Sequence, residues 1–121
     1  MHYTKLKISS EATNKLRTLK QRTGLTPNLL CRMALMYSLE EGAIGENTAP
    51  PNEDGAEFNA YTLTGEHTAL FLSLINFVER NGKKNLDNKM ILDKMRSHIH
   101  RGVNSISIRT KSTLDIFKMI Q

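Results

Sequence analysis

Two closely spaced lysines near the N-terminus are the first candidate binding residues. Lys5 and Lys7 alternate with Leu6 and Ile8, and because strand side chains point to opposite faces with period two, this predicts a strand with one cationic and one apolar face. The ammonium groups would lie about 7 Å apart, close to the phosphate spacing along a nucleic-acid strand. Tyr3 has the same parity and is expected beside them. The alternative is a solvated outer face whose lysines discourage edge-to-edge aggregation.

Other candidate contacts to a nucleic-acid backbone lie on predicted helices and on one turn. Asn28 opens the second predicted helix, whose free N–H groups and positive dipole end favour anions. The remaining candidates are basic side chains, for which the alternative is an ordinary solvated face. They are Lys15, Arg17, Lys20 and Arg22 in the first helix, Lys83 and Lys84 in a turn, and Lys89.

Nothing in the sequence predicts a catalytic centre, a metal site or a cofactor. His98 and His100 are two residues apart, so on a helix they point about 200° away from each other, which suits one metal ion poorly. Cys31 lies in an apolar helical stretch and is expected to be a buried, inert thiol. Phosphate-binding glycine loops, nucleophile elbows and paired-cysteine zinc motifs are missing from the sequence. The prediction is therefore a protein that is not an enzyme.

The distribution of charge is more informative than the net charge of +5. Residues 1–39 carry seven basic side chains against one acidic one, residues 40–66 carry seven acidic side chains and no Lys or Arg, and residues 67–121 carry ten basic against four acidic ones. Two basic blocks around an acidic linker favour a polyanionic partner, although ordinary charged helix faces can give similar counts. The single cysteine fits the cytoplasm, and no apolar run is long enough to cross a membrane.

Two helices are predicted directly after the strand. Ser9 or Ser10 can cap the first helix, and Gly24 suits the left-handed position that ends many helices. Thr26-Pro27 can start the second helix, because threonine is a good N-cap and proline fits the first helical position. The second helix is expected to end near Glu41, so that the strand and both helices form a unit over residues 1–42.

The second half is predicted to repeat the order strand, helix, helix over residues 58–106. Residues 43–57 form an acidic loop, and residues 58–63 form the second strand. Thr64 can cap a third helix over residues 65–80, and Asp87 can cap a fourth that ends at Gly102. Residues 107–121 form a tail with a short helix near Thr113–Ile120. Together these units are expected to form a single compact domain over residues 1–121.

The second and third helices are apolar over most of their circumference. Helices of that kind are usually buried among several others, and in so small a chain the others would come from a second copy. The third helix is expected to be the hydrophobic centre. The residues assigned to the core or to an oligomer interface are Gly24, Leu29, Met33, Tyr37, Leu70, Phe71, Leu74 and Phe77.

A short two-sided strand cannot stand alone in water and needs a second strand, most simply from another copy of the chain. Whether the strand predicted over residues 58–63 pairs with the first strand or with its own copy stays open. A paired ribbon backed by two helices resembles the ribbon–helix–helix DNA-binding proteins, whose β-ribbons enter the major groove. The predicted fold is therefore mainly α with short β-strands, with a ribbon–helix–helix-like N-terminal unit and an oligomeric assembly.

Three segments, in this order and spacing, resemble the DndE family, the small subunit of the bacterial DNA phosphorothioation system. They are residues 22–26 (RTGLT) with 28–32 (NLLCR), residues 64–67 (TGEH) followed by an apolar run, and residues 98–103 (HIHRGV). Thr64 stands where the family often has a glycine, and Met33 stands where it often has an aromatic residue. The resemblance spans about residues 3–106.

The resemblance implies a non-catalytic, cytoplasmic DNA-binding subunit within a restriction–modification type of system. It implies double-stranded DNA, nicked in preference to intact, as the ligand, and a homo-oligomer, a tetramer, as the assembly. Sulfur delivery and ATP-dependent chemistry would belong to other phosphorothioation subunits. Two alternatives stay open: a ribbon–helix–helix repressor or antitoxin that binds a palindromic operator, and a small nuclease or sulfur-transfer enzyme.

Overall fold

The computed structural model describes residues 1–110 and Lys118. The chain is mainly helical with one small antiparallel sheet, as predicted. The elements, in chain order, are β1 (Lys5–Lys7), α1 (Ser10–Thr23), α2 (Pro27–Glu41), β2 (Glu57–Asn59), α3 (Ala60–Leu63), a 3₁₀ turn (Gly65–His67), α4 (Thr68–Arg80) and α5 (Asn88–Arg109). The short helix predicted near Thr113–Ile120 falls outside the described residues.

The N-terminal helices begin and end where the sequence predicts. Ser9 caps α1 by accepting a hydrogen bond from the Ala12 N–H at 3.1 Å. Gly24 ends α1 with φ of +75°, a left-handed conformation that residues with a Cβ adopt only at a cost. Thr26 caps α2, with Pro27 at its first position. These boundaries are local, since each is set by a residue within one turn of the helix end.

The strand finds its partner within the chain, and the expectation of a second copy is wrong at this point. β1 pairs antiparallel with β2, with Leu6 opposite Phe58 and both buried. Ala60 N–H extends the pairing by donating to Thr4 O at 2.8 Å. The backbone hydrogen bonds of β1 are therefore made within the chain, and not in the intermolecular ribbon that defines ribbon–helix–helix dimers.

The segment around residues 57–67 is less regular than predicted. The strand ends at Asn59, whose side chain accepts from the Thr62 N–H at 2.9 Å and starts the short helix α3. Thr64 makes no side-chain cap for a long third helix; its buried hydroxyl bonds to Tyr3 and Thr68 instead. As a result α4 begins only at Thr68, after one 3₁₀ turn.

The prediction that the last long helix stops at Gly102 is wrong, because α5 continues to Arg109. Gly102 lies where α5 crosses α2, and a Cβ built there would stand 2.0 Å from Ala34 O. This glycine therefore serves close packing of two helices and not helix termination. Val103 and Ile106 are buried on the extended helix, so their spacing reflects helical periodicity.

The hydrophobic centre is α5 and not the third predicted helix. Five apolar side chains of α5 are buried and face α1, α2 and α4: Ile91, Met95, Ile99, Val103 and Ile106. On α4 only Phe71, Leu72 and Ile75 are buried among the apolar residues, while Leu70, Leu74 and Phe77 are exposed. Helix α4 is thus a surface helix with one buried stripe.

Candidate nucleic-acid interface

The outer face of the two-stranded sheet carries Lys5 and Lys7 from β1 and Glu57 and Asn59 from β2. We call this face the lysine ribbon. All four residues are exposed, which confirms that the two lysines share one face. Glu57 lies directly opposite Lys7 in the register, and its carboxylate reaches Lys5 Nζ at 3.9 Å. The ribbon is therefore less positive than the two lysines alone would make it.

Tyr3 does not share this face, and the expectation that it lies beside the lysines is wrong. Its side chain is buried, with 7% of the residue exposed, and its hydroxyl lies 2.7 Å from Thr64 Oγ1. Strand geometry begins only at Lys5, so the alternation of faces does not extend back to Tyr3. Burial raises the pKa of this phenol despite its hydrogen bond to Thr64.

The buried guanidinium of Arg96 on α5 fixes the position of the ribbon. Its Nε donates to Lys7 O at 2.6 Å, on the side of β1 that faces away from β2. Its terminal nitrogens contact Asp93 at 3.0 Å and Glu53 at 3.2 Å. One side chain therefore connects the strand to the centre of the fold and to the acidic segment.

The end of the acidic segment packs tightly against the β1–α1 junction. Gly55 N–H donates to Ile8 O at 2.9 Å, Ile8 N–H donates to Ala56 O at 3.0 Å, and Ala56 N–H donates to Thr13 Oγ1 at 2.8 Å. A Cβ at Gly55 would lie 2.1 Å from Thr13 Oγ1 and 2.3 Å from Ser9 O, so only glycine fits this approach. These contacts therefore hold in place the backbone of β1, which carries Lys5 and Lys7.

The cations of α1 fall into two groups. Lys15 and Arg22 are held toward other residues: Lys15 bonds to Glu11 at 3.1 Å and to Asn104 at 2.7 Å, and Arg22 donates to Thr110 O at 3.4 Å. Arg17 and Lys20 are exposed and have no carboxylate within 4 Å in the described part of the chain. Arg17 also lines an open cavity of about 330 Å³ with Ser10, Thr13, Asn14, Asp54, Gly55 and Ala56.

The acidic segment folds back onto the basic blocks instead of separating them. Glu46 lies 3.3 Å from Lys83, Glu53 lies 3.2 Å from Arg96, and Glu57 lies 3.9 Å from Lys5. The Glu46 and Glu57 pairs join exposed side chains, and exposed pairs of this kind contribute roughly 0–1 kcal/mol. A polyanion can therefore displace them at little cost.

The remaining predicted contacts are scattered. Asn28 is half-buried at the start of α2, and its Oδ1 atom is buried without a hydrogen-bond partner. An unpaired acceptor at that point disfavours an anion. Lys89 is held by Asp93 at 2.9 Å, whereas Lys84 is exposed with no carboxylate nearby among residues 1–110. Lys7, Arg17, Lys20 and Lys84 are the predicted cations with no carboxylate partner among residues 1–110, although Arg17 donates to Asn14 Oδ1 at 3.2 Å.

The predicted core or interface residues divide by exposure. Phe71 is buried, while Met33 and Tyr37 are half-buried, and the Tyr37 hydroxyl accepts a hydrogen bond from Arg109, whose guanidinium lies 5.6 Å from the ring centroid. The others are exposed at the surface of the single chain: Gly24, Leu29, Leu70, Leu74 and Phe77. Leu70, Leu74 and Phe77 follow helical spacing and so form one apolar strip on α4.

A buried polar cluster, which the sequence did not reveal, lies where α2, α4 and α5 meet. We call the cluster of Ser38, Glu79, His98 and Arg101 the polar crossing. Ser38 Oγ lies 2.8 Å from His98 Nδ1, and His98 Nε2 lies 2.7 Å from Glu79 Oε2. Arg101 Nε donates to Ser38 Oγ at 2.8 Å. Every charged or polar tip is thereby satisfied inside the protein.

The polar crossing also closes the end of α2. Arg101 Nη2 donates to the carbonyls of Ser38 and Gly42, each at 2.6 Å. Glu79 accepts the N–H groups of Ile44 at 2.8 Å and Gly45 at 3.3 Å. Helix α2 has no basic residue in its last turn, so Arg101 from α5 supplies the cation that stabilises its carbonyl end.

Burial decides the charge states in this cluster. Burial lowers the pKa of His98, against the opposing effect of Glu79, so the imidazole is neutral at pH 7. Burial raises the pKa of Glu79, but hydrogen bonds from Ile44, His98 and Gly45 outweigh it, and the net pKa lies below the usual value. The consistent assignment has Ser38 donating to Nδ1, and Nε2–H of His98 donating to the carboxylate.

A hydroxyl, an imidazole and a carboxylate in this order resemble a hydrolytic triad, but the setting excludes that role. Ser38 and His98 are fully buried, and the Ser38 oxygen is already engaged by Arg101. A nucleophile must be reachable by its substrate. Cys31 is also fully buried, and burial raises the pKa of its thiol to about 12, so it is inert, as predicted.

His100 lies apart from His98, with its Nδ1 2.7 Å from Ser9 Oγ and its Nε2 3.3 Å from Glu11. No set of three His, Cys, Asp or Glu side chains within the described residues is arranged to hold a metal ion. Among the helices of the same residues, none has the length and apolar character needed to span a membrane.

The fold defines a small, mainly helical protein with one two-stranded antiparallel sheet. The family profile described as DNA sulphur modification protein DndE matches residues 5–113, and the chain belongs to this family. No curated protein sequence matches the chain. The fold resembles the crystal structure of DndE from Escherichia coli B7A, described as involved in DNA phosphorothioation modification, with a TM-score of 0.73 and 23% identity over 85% of this chain and 97% of that one.

A second solved structure has the same fold. It is a DndE mutant with glycine replaced by lysine, described as involved in DNA phosphorothioation, with a TM-score of 0.73, 20% identity, and coverage of 88% of this chain and 99% of that one. Membership in the family confirms the resemblance drawn from the three sequence segments. At these identities the solved structures support the assignment of the fold and nothing beyond it.

Proposed function

We propose that this protein is a non-catalytic DNA-binding subunit of a DNA phosphorothioation complex. Family membership over residues 5–113 is the observation that carries the proposal. The ligand is double-stranded DNA, nicked in preference to intact, and the contact is made to the sugar-phosphate backbone with little dependence on sequence. The sulfur chemistry is assigned to other subunits of the system.

The distribution of free cations supports backbone binding. Lys7, Arg17 and Lys20 lie on β1 and α1 and are exposed, and none has a carboxylate partner among residues 1–110. Lysine is a compact point charge that suits phosphate oxygens and carries no base-reading geometry. Binding through such contacts releases counterions and weakens steeply with salt.

The apolar strip on α4 supports an oligomer. Leu70 is 56% exposed and Phe77 is 68% exposed, and such side chains are usually covered in an assembled protein. A homo-oligomer, a tetramer in this proposal, would cover the strip and place several cationic surfaces on one DNA molecule. A nick would favour such binding, because a broken strand bends onto a curved surface at lower cost.

The operator-binding alternative loses its structural basis, because β1 pairs with β2 of its own chain. A ribbon–helix–helix repressor reads bases through a ribbon formed by two chains. Here Lys7 O, which faces away from β2, accepts a hydrogen bond from Arg96, so that side of β1 is already in use.

Fluorescence anisotropy with labelled duplexes tests the proposal. The wild-type chain is titrated with intact duplex, with the same duplex carrying one nick, and with an unbroken palindrome. The expected result is binding to all three, tightest for the nicked duplex. Binding to the palindrome alone, or cleavage of plasmid DNA in the presence of Mg²⁺, would contradict it.

Two variants with the same change in charge locate the contact surface. Lys5→Glu with Lys7→Glu is expected to abolish binding and leave the helical content unchanged by circular dichroism. Lys83→Glu with Lys84→Glu makes the same change in charge at the second candidate site, and it is expected to lose less affinity because Lys83 is already paired with Glu46. A larger loss in this variant than in the ribbon variant would place the DNA contact at Lys83 and Lys84.

A further inference from the structure

Tyr61 is the most exposed large hydrophobic residue in the described part of the chain, with 89% of its surface accessible. It is the second residue of α3, and neither the fold nor the lysine contacts described above use it. An aromatic ring of this size buries substantial apolar area when it meets a partner. A tyrosine left this open is available for a contact outside the chain.

The backbone that carries Tyr61 is fixed. Asn59 caps α3 by accepting from the Thr62 N–H at 2.9 Å, and Leu63 at the end of α3 is fully buried. Arg32 of α2 donates to Leu63 O at 2.9 Å and to Thr62 O at 3.1 Å. The ring is thus presented from a rigid turn, which lowers the entropy lost when a partner is bound.

Two basic residues contact or pair with the backbone on either side of Tyr61. Asn59, two residues earlier, pairs in register with Lys5 of the lysine ribbon. The Arg32 guanidinium donates to the carbonyl of Thr62, the residue directly after Tyr61. Exposed aromatic side chains combined with nearby basic residues are how proteins hold unstacked bases and neutralise the flanking phosphates.

We propose that Tyr61 stacks on a nucleobase that is exposed at an interruption of the duplex. In intact duplex each base face is covered by its neighbours, so the ring has no face to meet; at a nick or a gap the terminal base can unstack and offer one. This inference rests on the proposed function and adds the residue that distinguishes interrupted from continuous DNA. The ring face makes the contact, and the hydroxyl is dispensable.

Binding of four variants to a gapped and to an intact duplex of the same sequence tests this role. Tyr61→Ala is expected to lose roughly 5- to 100-fold affinity for the gapped duplex and to bind intact duplex as the wild type does. Tyr61→Phe should bind both duplexes as the wild type does. Tyr61→Trp introduces the only tryptophan of the chain, and its fluorescence should be quenched by the gapped duplex much more than by the intact one. Ile108→Ala is the control, an 81% exposed apolar residue of α5 that lies outside both the lysine ribbon and the apolar strip, and its loss should not change discrimination.

Several outcomes would overturn the proposal. Wild-type affinity of Tyr61→Ala for the gapped duplex, or an equal loss on both duplexes, would remove Tyr61 from the recognition of exposed bases. A change in the mass of the Tyr61→Ala assembly by light scattering would assign the ring to a contact between copies of the chain. In each of these cases the wild-type protein still binds DNA, whereas absence of wild-type binding to every duplex would defeat the proposed function itself.

Discussion

The polar crossing and the lysine ribbon each place a carboxylate beside a basic side chain, but the crossing is buried and the ribbon is exposed to solvent. In the crossing, Glu79 and His98 are enclosed and each polar atom has a partner within the protein. In the ribbon, Lys5 and Glu57 are exposed and only 3.9 Å apart at their closest. Desolvation makes the difference: a buried pair is costly to break, whereas an exposed pair is easily exchanged for another charge.

Gly102→Leu should unfold the protein or destabilise it by at least about 3 kcal/mol. The new side chain would enter the α2 backbone at Ala34, next to the polar crossing, where a Cβ alone already stands 2.0 Å from a carbonyl oxygen. Thermal unfolding followed by circular dichroism measures this. Ser107→Leu, on the same helix but half-exposed, is the control and should shift the melting temperature little. Wild-type stability of Gly102→Leu would show that the two helices are not in close contact.

Glu79→Ala should destabilise the fold by roughly 3 kcal/mol, because it leaves His98 and the N–H groups of Ile44 and Gly45 without their acceptor. Urea unfolding gives the free energy. Glu66→Ala is the matched control: its carboxylate is 87% exposed, and its loss should change stability by no more than about 0.5 kcal/mol. Equal effects of the two substitutions would remove the distinction between the enclosed and the open regions.

Acid should lower the free energy of unfolding, because it protonates groups of the polar crossing. The folded protein holds the pKa of His98 below its usual 6.5 and that of Glu79 below its usual 4.5. The unfolded chain therefore binds these protons more readily, and the stabilisation that depends on the two groups is fully present above about pH 6.5. The free energy of unfolding decreases as the pH is lowered below 6.5, and it decreases further below 4.5. Urea midpoints at several pH values measure this. His98→Gln should lose the upper part of the dependence, and a midpoint that rises on acidification would have the wrong sign.

Glu57→Gln should have the smallest effect on stability of these substitutions and still change the charge of the lysine ribbon. The carboxylate lies opposite Lys7 and beside Lys5, so its neutralisation makes the ribbon more positive. We expect DNA affinity to rise by roughly 2- to 5-fold at low salt, with stability within about 0.5 kcal/mol of the wild type. Glu66→Gln removes the same charge away from the sheet and serves as the control. A decrease in affinity would mean that Glu57 assists binding.

Much of the fold was predictable wherever the determining residues are close in sequence. Ser9, Gly24 and Thr26 fix the ends of α1 and α2 within one turn, and the structure has those boundaries as predicted. The three segments that indicated the DndE family are confirmed by the family match. The inert, buried Cys31 follows from its place on an apolar helix face.

Most of the errors involve partners distant in sequence; the exception is the Asn59 cap of α3, which is local. Gly102 looked like a helix stop because nothing near it in sequence reveals that Ala34 packs against it. The partner of β1 lies more than fifty residues away, and the polar crossing joins Ser38 to His98 across sixty positions. A glutamate within the apolar stretch of α4, at Glu79, was the one local sign of a buried polar site. Nothing in the sequence around Tyr61 predicted that its side chain would be exposed.

The salt dependence of DNA binding tests whether Lys5 and Lys7 contact phosphates. The observed association constant of the wild type for nicked duplex is measured across a range of salt concentrations, beside Lys5→Gln with Lys7→Gln. Each phosphate contact contributes about −0.9 to the slope of log K against log salt, so the double variant should have a slope shallower by up to about 2, with an unchanged urea midpoint. Equal slopes for the two proteins, or a wild type whose affinity ignores salt, would contradict the account.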